Sequence, residues 1–198
     1  MTRIYLETKH RKTSEAVFIK TLLTHIGKSE ESYEIICVDG KDNLSCVAPK
    51  LQETIIEGSK NIIIFDADTE KNKGGFIKRK AEIEAKLLEL GVHALIFLFP
   101  NNSEDGDVES LLERLMQTNT HKRFFDCYHD YEACLGLEYR APNLKGKLHT
   151  YISAQKDLTT KQIRNLGSGQ WLFDDIRFWD LDNEALNPLK EFLELNIE

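Results

Sequence analysis

The chain has 198 residues, of which 41% are hydrophobic, 9% aromatic and 30% charged, enough apolar material for a single well-formed core. That composition excludes a disordered chain, a collagen-like repeat and a disulfide scaffold. A net charge of −7 excludes nucleic-acid binding through an overall basic field, but not an enzyme that meets phosphates through metal ions.

Cysteines at 37, 46, 127 and 134 form no Cys-x-x-Cys pair, which predicts a reduced, cytoplasmic protein. The segment Met1 to Glu7 is charged too early for a signal peptide, and Ile62 to Phe65 is far too short an apolar run to span a bilayer, so no membrane association is expected.

In chain order, Ile4-Tyr5-Leu6 predicts a first strand. A helix follows over 14–27, with Ala16, Val17, Ile19, Leu22, Leu23 and Ile26 at helical spacing. Tyr33 to Val38 predicts a second strand, and a helix runs from about Ser45 to Glu57. Asn61 to Phe65, almost entirely branched and apolar, predicts a strand buried on both faces. A charged amphipathic helix occupies Phe76 to Leu90, His93 to Phe99 the fourth strand, and Asp107 caps a helix ending at Met116.

Four strand–helix alternations predict a mainly parallel four-stranded sheet in a three-layer α/β core over residues 1–117. Residues 118–198 read as a mostly helical C-terminal extension packed on that core as one structural unit. Its helices fall at 126–138, 147–156, Thr160 to Leu166 after a Thr159-Thr160 cap, and Pro188 to Leu195. Trp171 and Trp179 are expected to seal the extension onto the core, and Cys127 and Cys134 to pack.

Ligands of such sheets bind at the edge where the strands end. The acids stand there: Glu7 after strand one, Asp39 after strand two, Asp66 and Asp68 after strand three, and Asp105, Asp107 and Glu109 after strand four. In the usual doubly wound order strands one and three are neighbours, so Glu7 and Asp66/Asp68 would face one crevice. Carboxylates gathered in a cleft raise one another's pKa unless a cation sits among them, and a hard divalent ion, Mg²⁺ or Mn²⁺, suits all-oxygen ligands. The cap reading is preferred for Asp39 and Asp105.

A glutamate ending the first strand and an Asp-x-Asp ending the third resemble the Toprim fold, the catalytic module of topoisomerases, bacterial-type primases and OLD-family nucleases. Ile62-Ile-Ile-Phe-Asp66-Ala-Asp68-Thr-Glu carries the match, and Gly106-Asp107-Val-Glu109 resembles the acidic motif that opens the last core helix of OLD-type members. The resemblance spans residues 1–117. It implies Glu7 as metal ligand or general base, Asp66 and Asp68 as the metal-binding pair, and Asp107 and Glu109 as completing a second metal site. It further implies an assisting lysine, for which Lys145 and Lys147 are candidates, Lys147 being preferred.

The function so implied is a divalent-metal-dependent phosphodiester hydrolase, a nuclease acting on DNA or RNA, with no oligomeric state specified. The chain departs from the pattern at Thr8, where Toprim sequences carry glycine, and at Lys9-His10-Arg11-Lys12, where they commonly carry an aspartate. These departures support the alternative, a Toprim-like binding or regulatory protein without catalysis. The basic tetrad is an exposed loop in one reading and a contact for substrate phosphate in the other. A small-molecule phosphatase of the haloacid-dehalogenase type is disfavoured, because Thr69 falls one position early and the Asp-x-Asp lies on the third strand.

Overall fold

The computed structural model describes residues 1–198. Four strands, β1 (Thr2–Leu6), β2 (Tyr33–Cys37), β3 (Asn61–Asp66) and β4 (Leu95–Phe99), form one all-parallel sheet in the order β2-β1-β3-β4. β1 and β3 are therefore neighbours, and their register pairs Leu6 with Ile64. Every residue of β1 is buried, as are the first five of β3, because helices cover both faces.

The connections are helical: α1 (Ser14–His25), a 3₁₀ turn Lys41–Val47 running into α2 (Ala48–Ile56), α3 (Phe76–Glu89) and α4 (Val108–Leu115). The helix expected from Ser45 is split because Pro49 lacks an amide hydrogen and suits only the first turn, so the α-helix begins beside it. The remainder forms α5 (Lys122–Leu135), α6 (Leu144–Ser153), α7 (Thr160–Leu166) and α8 (Asn187–Asn196). The α/β core and the mostly helical C-terminal region are thus as the hydrophobic periodicity predicts. No helix is long and apolar enough to cross a membrane.

Two apolar clusters flank the sheet. The smaller, of 11 buried residues, lies under α2 and α3 and includes Leu51, Ile83 and Leu87. The larger, of 32, joins α1 and α4 to the C-terminal region: Phe18, Phe97 and Leu111 share it with Tyr151, Phe173, Trp179 and Leu193. Trp171 and Trp179 are buried there with both indole N–H groups satisfied, by Leu166 O at 3.1 Å and Trp171 O at 2.8 Å. Cys127 and Cys134, expected to pack, are instead exposed on α5, of whose residues only Tyr128 is buried.

Candidate functional site: a buried carboxylate cluster

The C-terminal ends of β1 and β3 meet the first turns of α1 and α4 at one edge of the sheet. Glu7 directly follows β1, Asp66 closes β3, Glu15 stands in the first turn of α1, and Glu109 in the first turn of α4. Thr13 caps α1 with its hydroxyl, which accepts from the Ala16 amide at 3.4 Å and bonds the buried Thr8 hydroxyl. Asp107 caps α4, accepting from the Ser110 amide at 2.8 Å and its hydroxyl at 2.6 Å. Each cap places an acid in the following turn, where the positive end of the helix favours it.

These four carboxylates feel one another. Burial, then the charges of Glu7 and Glu109, push Glu15 up to about 8. Asp66 is raised well above the usual carboxylate range by burial and by Glu15 and Glu109, although the Val108 amide donates to its Oδ1 at 2.9 Å. Burial also raises Glu7, against the pull of the Lys41 amide 3.0 Å from its Oε1. Two oxygens of the group, Glu7 Oε2 and Glu15 Oε1, are buried with no hydrogen-bond partner. Unsatisfied buried carboxylate oxygens are costly and rare in folded proteins. One ammonium, Lys145, reaches the group, 3.1 Å from Glu109.

The other sequence candidates are committed to other partners, although Asp68 lies near enough to raise Glu7 and Arg79 near enough to lower it. Asp68 has left-handed backbone at φ 59°, and its carboxylate pairs with Arg79, whose side chain is 2% exposed and also bonds Glu82 at 3.0 Å. Gly74 makes that turn possible: a Cβ there would lie 2.3 Å from the Asp68 Cβ and 2.7 Å from the Ala67 carbonyl. Asp107 spends its Oδ1 on its cap. Lys147 pairs with Glu113 at 2.7 Å, so Lys145 is the lysine beside the cluster. Asp105 accepts from the Phe76 amide at 2.7 Å, so it caps the start of α3 and not, as expected, the helix that follows it, which Asp107 caps.

Of the residues singled out from sequence, the structure thus brings together Glu7, Asp66 and Glu109, and adds Glu15. The signal for Glu15 was its place two residues behind Thr13 at the start of the first helix, the counterpart of Glu109 behind Asp107. Arg79 gave none, since an arginine in the lysine- and glutamate-rich α3 reads as surface.

As a cation site, the cluster offers only oxygen donors, which suits Mg²⁺ or Mn²⁺ rather than a soft metal. The two unpartnered oxygens and the raised carboxyls are what a divalent ion would relieve. As the side chains stand, no three of them already form a cage around one point.

Fold and site together define an α/β protein with a buried carboxylate cluster at the C-terminal edge of a parallel sheet. A family model described as "Protein of unknown function (DUF3226)" matches residues 13–197, and the chain belongs to that family. No curated protein and no solved structure matches the chain.

Proposed function

We propose that this chain is a divalent-metal-dependent phosphodiester hydrolase of the Toprim type, acting on a nucleic acid. The observation that carries this reading is the pair of buried, unpartnered oxygens on Glu7 and Glu15 beside the raised carboxyl of Asp66. Natural proteins keep such an arrangement where charge is needed for work rather than for stability.

A bound Mg²⁺ or Mn²⁺ would supply a Lewis acid and an activated water at neutral pH. Glu7, Glu15, Asp66 and Glu109 would hold the ion. Lys145, now on Glu109, is the group positioned to neutralise charge on a phosphate oxygen. Glu7, whose Oε2 has no partner, is the candidate to accept a proton from the attacking water.

A second reading, binding without cleavage, is supported by the Arg79–Asp68 pair, in which an internal guanidinium already occupies an acid of the Asp-x-Asp motif. Thermal unfolding with Mn²⁺ or Mg²⁺, followed by nuclease assay, separates the readings. Ligand binding to the native state alone adds RT ln(1 + [L]/Kd), about 2.7 kcal/mol at a hundredfold excess. Wild type should melt higher with metal and Asp66→Asn should not. No metal response in wild type would overturn the proposal, and a metal response without cleavage of DNA or RNA would leave the second reading.

A further inference from the structure

The basic segment Lys9-His10-Arg11-Lys12 begins two residues after Glu7, and all four side chains are exposed. Within it Arg11 alone has a carboxylate partner, Glu34 at 3.6 Å. His10 lines a cleft of about 570 Å³ whose opposite wall is the start of α6, with Lys145 and His149, and the turn 167–169. None of the 13 residues lining it is acidic. In a chain with 33 acidic residues, an acid-free cleft lined by one ammonium and two imidazoles, and adjoined in sequence by the exposed Lys9, Arg11 and Lys12, is a local gathering of cations and N–H donors that favours an anion.

The cleft is built onto the carboxylate cluster. Lys145 lines the cleft and pairs with Glu109 at 3.1 Å, and Ser14, also in its wall, precedes Glu15. Gly169 fixes the far wall: its φ is 91°, and a Cβ there would stand 2.3 Å from the Ser14 amide nitrogen. Only glycine lets the turn of the C-terminal region lie directly on the start of α1.

We infer that this cleft binds the phosphodiester backbone of a nucleic-acid strand, so that the phosphate to be cut lies at the carboxylate cluster. The inference rests on the reading of the cluster given above and assigns the strand's path to residues outside it. Lys9 and Lys12, exposed on either side of His10, meet phosphates where the strand leaves the cleft, while His10 and His149 donate from its lining. This gives the C-terminal region a role, as one wall of a substrate channel.

The test is fluorescence anisotropy of a labelled single-stranded oligonucleotide in Ca²⁺, as DNA and as RNA, with a mononucleotide as competitor. The variants are Lys9→Glu/Lys12→Glu, His149→Glu, and a control, Lys60→Glu/Lys86→Glu, that changes net charge equally away from the cleft. The rim double variant and His149→Glu should each weaken binding at least tenfold, and the control less than threefold. The slope of log affinity on log salt should fall by about 1.4 for the rim variant, at roughly 0.7 per phosphate contact on a single strand. Equal weakening by rim and control variants, a mononucleotide that competes as well as the strand, or no binding by wild type would each overturn the inference. Calcium-induced stabilisation, read separately by melting, keeps the two proposals apart. A melting shift without strand binding overturns only the cleft, and rim-dependent binding without a shift overturns only the metal site.

Discussion

Glu15 is the residue on which the electrostatics of the site turn. Its carboxyl titrates far above its ordinary 4.5 because it is buried between Glu7 and Glu109 with one oxygen unpartnered. Over the window from 4.5 to about 8 the folded chain holds this proton while the unfolded chain has released it. Folding then takes up protons, and stability falls as pH rises across the window. Metal-free wild type should therefore melt lower at pH 8 than near pH 5, and saturating Mg²⁺ should flatten that slope by holding the carboxylates ionised. Glu15→Gln keeps the shape and removes the charge. At pH 8 without metal it should gain on the order of 1 kcal/mol or more, with Tm rising about 2–4 °C for each kcal/mol, and it should lose the metal response. A lower Tm for Glu15→Gln at pH 8 would contradict this account. Glu7 and Asp66 were legible because a strand ending in an acid is a one-dimensional pattern. That Asp68 is held by an arginine was not, since the pairing follows from a left-handed φ and a guanidinium eleven residues on.

At the scale of elements, close backbone approaches at glycine aim the site. The turn after β3 folds back on itself at Gly74, and the loop after α7 lies on α1 at Gly169. Gly74→Ala and Gly169→Ala each set a methyl group against main chain, and each should cost about 1–3 kcal/mol or more in urea unfolding. Gly74→Ala should also weaken metal response by displacing the Asp66–Asp68 turn, whereas Gly169→Ala should weaken strand binding and leave metal response in place. Capping is cheaper to lose: Thr159 forms a full capping box with Gln162 at the start of α7, so Thr159→Ala should cost about 1 kcal/mol. The strands and most helices of the first half were readable because each has one buried pattern and a clear stop. Of the C-terminal helices, α7 and α8 fall within a residue of their expected bounds, whereas α5 and α6 begin and end several residues earlier than expected. There, α5 leaves nearly all of its side chains partly or fully open to solvent, so the apolar period that would mark its limits is weak.

For the molecule as a whole, the sheet does not own its core. One of its two faces is covered by a cluster in which Phe18, Phe97, Leu111 and Leu115 pack with Tyr151, Phe173, Trp179, Leu189 and Leu193. A fragment ending at residue 117 would expose that face, and it should show no cooperative unfolding transition and should bind hydrophobic dyes. The coverage closes at the very ends of the chain. The Thr2 hydroxyl donates to the Asn196 carbonyl at 3.1 Å, and the Lys28 ammonium reaches the last carbonyls, 3.3 Å from Glu194 O. A strand central to the sheet thus donates a bond to the last helix. During synthesis the first strand leaves the ribosome long before the residues that shield it. The nascent chain must carry an unfinished apolar face until the residues from Trp171 to Ile197 have been made, so the sheet cannot be sealed in step with the synthesis of its own strands.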